Sequence, residues 1–465
     1  MTPKRPINAD VPASEVEEKA QEPSPDAQET KEQPKADAEA PKKSEAEPSK
    51  KSEPPPKARE SKSPAPKLLA ALVVLALVFI VVAIVGSSGG KDEGASEGAP
   101  APAPAATKDS GGESASQTSE ALGYPSFATN NTTRIGGSDP AANAAAVSLA
   151  VFPSTTPAQQ PNAVTLVGEE DWAGAIAASV LMAEPVRAPL LFSQPDELPE
   201  ASEEALSALD PQGDKATGGA SLFAIGSIAL PGGGEATRVD SGDPASTAAQ
   251  IATLRDRLFG KPPAHILVAS SSSPDFAMPA AAWSARSGDP ILYADTKKLP
   301  AATAQVLREH PKTPVFVLGP TAAISKDVFA EIDKLAKRVT RVAGKDAAAN
   351  ALALARFHAG SFGWNVNDPG HGFVLARSDS PADAAAAAPL SASGTWGPLL
   401  LTEDAATLPS AVHDYFLDVK PGYTTDPTRA FYNRVWLIGD QEAIDLDQQA
   451  EVNELAELAR IGKEP

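Results

Sequence analysis

The sequence predicts an α/β protein whose folded part is three tandem repeats, each a parallel sheet flanked by helices. Two observations carry this. One set of landmarks recurs three times in the same order: TTRIGGSDP, LVGEEDWAG, APLLFSQPDELPE and LFAIGS are followed by ATRVDSGDP, HILVASSSSPDFA, DPILYADTKKLPA and VFVLGP, and then by VTRVAGKDA, GFVLARSDSPADAA, GPLLLTEDAATLPS and VWLIGD. Within each pass, short apolar runs alternate with alanine-rich helical patterns, the signature of strands joined by helical crossovers. Arg134, Arg238 and Arg341 anchor the repeats at spacings of 104 and 103 residues. Self-similarity at a fixed period defines the architecture before any local reading does.

Taken in order, each repeat opens on an arginine strand and a glycine-containing loop that delivers an aspartate, Asp139, Asp243 or Asp346. In the first two repeats a proline follows at once, so a capping carboxylate precedes a residue preset for the first helical turn. AVTLVG, HILVAS and GFVLAR come next, five or six residues long and apolar throughout, as strands buried on both faces of a parallel sheet are. A second acidic residue, Asp171, Asp275 or Asp383, stands where that strand hands over to another alanine-rich helix. PLLF, PILY and PLLL then predict a third strand. Pro199, Pro300 and Pro409 prime the next helix, and a final apolar strand closes each repeat. The predicted bounds are 132–235, 236–338 and 339–465.

What precedes the repeats is of three other kinds. Residues 1–67 alternate Lys, Glu, Pro, Ala and Ser with almost no large apolar side chain, which predicts a disordered tail. Leu68–Gly86 is 19 residues without a polar side chain, about 28 Å of helix against a hydrocarbon core of about 30 Å. It predicts a single transmembrane helix, retained as a signal anchor because so long a segment precedes it. Lys57, Arg59, Lys62 and Lys67 before it and Asp92, Glu93 and Glu97 after it place the N-terminus in the cytoplasm and the repeats outside. Residues 87–131 are mostly Gly, Ser, Ala and Pro and predict a linker.

Charge and composition exclude some functions. The first 67 residues hold 13 basic and 14 acidic side chains, leaving 27 basic and 46 acidic for the remainder, a net −19. That argues against nucleic acid as a partner, since clustered Lys and Arg are the source of such affinity. The chain has no cysteine, which removes disulfides, thiolate metal sites and cysteine nucleophiles. His265, His310, His358, His371 and His413 show no zinc-ligand spacing, no nucleophile-elbow serine is present, and Gly232, Gly233 and Gly234 lead into a strand rather than a helix. The expectation is therefore no catalytic residue, no cofactor and no metal.

Three sets of residues could bind. Asp171, Asp275 and Asp383 lie at the sheet edge where α/β proteins take ligands, though a first-turn carboxylate also satisfies the helix dipole unaided. Arg134, Arg238 and Arg341 could pair across repeat interfaces or contact an anionic glycan. Trp364, Tyr423, Phe431 and Tyr432, in added segments of the third repeat, could stack on sugar or pack locally.

With these residues in view, the Thr-Arg opening, the glycine loop, the strand ending before Asp, the Pro-Leu/Ile-Leu stretch, the Leu-Pro pair and the closing strand ending in Gly resemble the cell wall-binding repeat 2 family over about residues 132–450. That resemblance implies three Toprim-like or Rossmann-like modules closing into a pseudo-trimer that binds an anionic or peptidoglycan-linked cell-wall polymer of a Gram-positive envelope. It also implies that Pro189-Leu190-Leu191, Pro290-Ile291-Leu292 and Pro398-Leu399-Leu400 are polymer-binding. Where the family carries a second Arg-Tyr pair, the three copies here read SDPAAN, GDPAST and KDAAAN. The alternatives are a protein-binding module for envelope assembly and, in third place, a glycan-active enzyme. Because alanine-rich helices bury little area each, the units are expected to depend on shared interfaces.

Overall fold

The computed structural model describes residues 128–240, 242–393 and 397–462. The expected tail, transmembrane helix and most of the linker lie outside them. Among the described residues no helix is long and apolar enough to cross a membrane.

The strands are β1 (Thr132–Ile135), β2 (Val164–Gly168), β3 (Leu190–Ser193), β4 (Leu222–Ile225), β5 (Thr237–Val239), β6 (Ile266–Ser270), β7 (Ile291–Ala294), β8 (Val315–Leu318), β9 (Val339–Val342), β10 (Gly372–Arg377), β11 (Leu399–Thr402), β12 (Gly422–Tyr423), β13 (Arg434–Ile438) and β14 (Ala459–Arg460). They form three four-stranded sheets, β3-β2-β4-β5, β7-β6-β8-β9 and β11-β10-β13-β1, and a small β12-β14 pair. Every pairing is parallel. The sheets are thus offset by one strand from the sequence repeats. Each arginine strand completes the sheet of the preceding unit, and β1, at the front, completes the last one, with Arg134 opposite Leu437. Arg238 and Arg341 take the same register, opposite Ala224 and Val317.

Helix α1 (Pro140–Val151) follows β1, and its counterparts are α4 (Pro244–Phe259) and α8 (Ala347–Arg356). All three begin at the expected aspartates, whose carboxylates accept from first-turn amides: Ala142 at 2.8 Å, Ala245 and Ser246 at 3.1 Å, and Ala349 at 2.8 Å. Each packs on the Pro-Leu strand of the unit that follows it, so the chain crosses from one sheet to the next between the arginine strand and this helix. Helices α3 (Glu200–Leu209), α6 (Ala301–Glu309) and α10 (Ser410–Asp418) each start immediately after the expected proline, which serves as the cap residue. Helix α7 (Lys326–Asp333) follows β8 and α11 (Leu446–Ala456) follows β13; at this point the first unit has only a short turn, Pro231–Gly233.

The remaining helices are α2 (Trp172–Ala178), α5 (Pro274–Ser287) and α9 (Pro381–Ala392), one per unit after its second strand. They pack against one another in all three pairings. Alanine makes this possible: Ala173, Ala177, Ala281, Ala285, Ala385 and Ala388 are buried at this junction, and a methyl side chain lets helix backbones approach closely. Period-two alternation divides each sheet between two cores. In the second unit Leu267, Ala269, Ile291 and Tyr293 face the common core, while Ile266, Val268, Leu292 and Ala294 face a private one with Val328 and Ile332 of α7. The third unit divides the same way, Leu399 and Leu401 against Leu400. Tyr293 ties the units further: its hydroxyl donates to the Ala173 carbonyl at 2.8 Å and its ring meets Trp172 edge-on.

This connectivity predicts that the isolated first repeat, 132–235, does not fold cooperatively, because it carries β1 without β13 and β4 without β5. Calorimetry should find one transition for the repeats in the intact chain and no sharp transition for the fragment; a fragment melting as cooperatively at the same temperature would contradict the interlocked arrangement.

Candidate functional site at the carboxyl edges of the sheets

The arginine strands deliver three side chains to equivalent places with different outcomes. Arg134 is 1% exposed. Its Nε and Nη2 donate to Gln449 Oε1 at 3.2 and 2.9 Å, Nη1 donates to the carbonyls of Gly439 and Asp440, and Nη2 also reaches the Ile444 carbonyl. Arg341 repeats the grip on the second unit, donating to Gly319 O at 2.7 Å and Ile324 O at 2.8 Å, with its guanidinium over the Phe329 ring. Arg238 is exposed and has one long contact, 3.5 Å, to Gly226 O. The difference follows from the missing helix: with no helix after β4, the loop offers Arg238 no second set of carbonyls. Gly319 and Gly439 turn these loops at φ of +99° and +96°, and at Gly439 an added Cβ would meet the Ala443 Cβ at 2.8 Å.

Pro189, Pro290 and Pro398 each begin an outer strand of their sheet. Their carbonyls start the ladder by accepting from Thr165, Leu267 and Val374, while the missing N–H falls where no partner is required. Leu190, Leu191, Ile291, Leu292, Leu399 and Leu400 are at most 4% exposed. Helices α1, α4 and α8 cover these strands, so their side chains sit in the cores and open onto none of the surface clefts.

The three aspartates do sit at carboxyl edges. Asp171 caps α2, accepting from Gly174 N at 2.8 Å, and burial holds its carboxyl above the ordinary range. Asp275 is half-buried in the first turn of α5. Asp383 is buried in the first turn of α9 and accepts from Asn143 Nδ2 at 2.8 Å; burial raises its carboxyl too, against the hydrogen bonds from Ser380 and Asn143. Asn143 is a residue the sequence reading did not single out. Its Oδ1 accepts from Gly137 N while its amide reaches the third unit. Asn350 does the same between Gly344 N and the Phe276 carbonyl of the second unit, and Thr247 Oγ1 accepts from Gly242 N. The signal was available: each stands nine residues after its arginine, at the end of SDPAAN, KDAAAN and GDPAST.

Two clefts open at these edges. One of 480 Å³ in the first unit is lined by Glu169, Glu170, Asp171, Ser193, Gln194 and Ser227. Another of 260 Å³ is lined by Asp139, Asn143, Arg377, Asp379, Asp383 and Asp440. Both are acidic: Arg377 is neutralised by Asp379 at 2.6 Å, and burial, with Asp139 and Glu170 nearby, pushes the Glu169 carboxyl up. Such surfaces suit hydroxyl and amine donors better than a polyanion. A third cleft, of 310 Å³, lies in the added segment of the third repeat among Tyr423, Thr424, Thr425, Asp426, Arg429 and Ile461. Phe431 and Tyr432 are exposed beside it in sequence, whereas Trp364 is half-buried against Trp283. No group of His, Asp and Glu among the described residues is arranged to hold a metal ion.

Residues 238–329 and 341–448 match the family described as Cell wall binding domain 2 (CWB2), which bears out the resemblance over the second and third repeats. No curated protein matches the chain. Among solved structures, Cwp6 from Clostridium difficile superposes with a TM-score of 0.57 at 20% identity, covering 70% of this chain and 48% of that one. Cwp8 from Clostridium difficile gives 0.54 at 20% identity, covering 70% and 52%. The chain therefore spans about half the length of these proteins, and at this identity the likeness is one of fold.

Two outcomes follow. Arg134→Ala leaves three carbonyls without a charged donor and should cost at least about 3 kcal/mol in denaturant unfolding, whereas Arg238→Ala should stay within about 0.5 kcal/mol. Asp383 has a folded-state pKa above its unfolded value, so the stability held by its protonated form is present at low pH and lost as pH rises through the folded pKa. Asp383→Asn, which keeps an oxygen for Asn143, should raise the melting temperature at neutral pH by an amount that shrinks on acidification; a pH-independent difference would contradict this.

Proposed function

We propose, from second and third repeats that match the Cell wall binding domain 2 family, that this chain is a membrane-anchored extracytoplasmic protein holding a cell-envelope polymer non-covalently through a pseudo-three-fold assembly of its repeats. The family match over the second and third repeats is the observation that carries the reading. The polymer would be an anionic or peptidoglycan-linked glycan. Hydroxyls of such a glycan would find partners in the clefts around Asp171 and Asp383, and its anionic groups would find Arg238 and Arg429, both exposed. The buried Pro-Leu stretches would then act by shaping the strands under the clefts, and Arg134 by fixing the loop at Gly439 and Asp440 on the rim of one of them.

A second reading, a docking module for envelope proteins, is favoured by the −19 net charge outside the first 67 residues, which suits a partner with a basic face.

Incubating residues 87–465 with purified wall sacculi at low salt tests the first reading. Retention in the pellet, weakened by Arg238→Ala with Arg429→Ala, is expected. No retention would overturn polymer binding, and unaltered envelope association after removal of wall polymer, with a co-purifying protein, would favour the second.

A further inference from the structure

We propose that the second unit carries an activated serine, Ser361, with His265 as its general base and Asp289 as the residue positioning that base. It lies at the amino edge of the second sheet, away from the clefts above, and is independent of polymer binding. His265 precedes β6 and Asp289 precedes Pro290 and β7. Ser361 comes from the segment between α8 and β10, in a turn closed by the Ala359–Phe362 bridge.

The geometry fixes the roles. Asp289 is 1% exposed. Its Oδ1 accepts the His265 backbone N–H at 2.9 Å and its Oδ2 the Trp283 indole N–H at 3.0 Å. Both groups donate, and in the tautomer with its proton on Nδ1 His265 donates a third hydrogen bond, to Oδ2 at 3.0 Å. Nε2 is then left as a lone pair, 3.2 Å from Ser361 Oγ. The order serine hydroxyl, imidazole, buried carboxylate is the one that activates a serine in acyl transfer on unrelated folds, where it is recognised by geometry rather than sequence position. Phe316 and Phe362 stand edge-on to the imidazole, with ring centroids 5.6 and 5.4 Å away. Ser361 itself is exposed, and the space beside Gly360 is open.

The fold does not require this trio. Ala163 and Ala188 hold the places of His265 and Asp289 in the first unit, and Gly372 and Gly397 hold them in the third. Nor does the turn require Ser361 for anchorage, since Phe362 is fully buried and stacked on Phe316 with centroids 3.6 Å apart.

The step assigned is transfer of an acyl group from an ester. Ser361 Oγ bonds to the carbonyl carbon as its proton passes to His265 Nε2. The bond from that carbon to the alcohol oxygen then breaks, and the leaving alkoxide takes the proton from Nε2. Water repeats the sequence on the acyl-serine, releasing the carboxylic acid and restoring the serine. A serine at the open surface suits an ester carried on the end of an extended chain.

The full chain is treated with diisopropyl fluorophosphate and followed by intact and peptide mass spectrometry, with p-nitrophenyl acetate hydrolysis measured in parallel. Expected are one diisopropylphosphoryl adduct on Ser361 with release of fluoride, and ester hydrolysis. Ser361→Ala, on an exposed turn, should abolish both without changing the melting temperature. His265→Gln should slow labelling about 100-fold. Asp289→Asn should slow it comparably and Asp289→Glu recover part of the rate, which loss of packing alone would not produce. An unlabelled wild type, an adduct at another residue, or His265→Gln labelled as fast as wild type would overturn the proposal.

Discussion

The pairing of β1 with β13 is the contact on which the rest of the structure depends. It joins Thr132 to Val435 across the whole set of repeats and inserts Arg134 beneath the loop and helix that end the third unit. Closing a loop of about 300 residues costs on the order of 5 kcal/mol in chain entropy by the logarithmic scaling of loop closure. Four parallel rungs and a buried guanidinium with every donor engaged oppose that cost. Because β5 and β9 make the same offset pairing with the units before them, no unit contains all four strands of its own sheet within its own repeat, and the three are interdependent by construction.

The alanine content follows from the same constraint. Three helices that must meet pairwise need small side chains at their contacts, and small side chains bury little area each. The area is recovered by number and by sharing. α1, for example, is buried from Ala141 to Ser148, between the Pro-Leu strand β3 and α9 of the third unit. Polar groups at the seams are satisfied in pairs across units, as with Asn143 and Asp383 or Tyr293 and Ala173. An unpaired group in those places would cost as much as several of the alanines contribute.

Much of this was legible in the sequence because it is local. The period, the apolar strands, the capping aspartates and the helix-starting prolines each depend on a few consecutive residues, and the structure has them where expected. The strand offset was not legible, since chain order groups each arginine strand with the helix after it while hydrogen bonding groups it with the strand before. Nor does recurrence reveal which way a side chain faces. Pro-Leu-Leu recurs because an outer strand needs that start and that apolar content under a covering helix, and Arg134 recurs as Arg341 because a loop needs holding. Arg238, identical in spacing, is left exposed only because its unit lacks a helix that no motif marks as missing. The His265, Asp289 and Ser361 cluster was invisible for the same reason: it joins two strand ends to a segment that the repeat period treats as an insertion.

For function, the consequence is that recognition has to be built from what the interlocked core leaves at its edges, which are polar, acidic clefts and a few exposed arginines. The interlock itself is tested most directly by hydrogen exchange of the full chain followed by mass spectrometry. The amides of Thr132–Ile135 should exchange as slowly as those of Arg434–Ile438 and of the other arginine strands. Exchange of Thr132–Ile135 at the rate of an exposed loop, while the rest of the third sheet stays protected, would contradict the account.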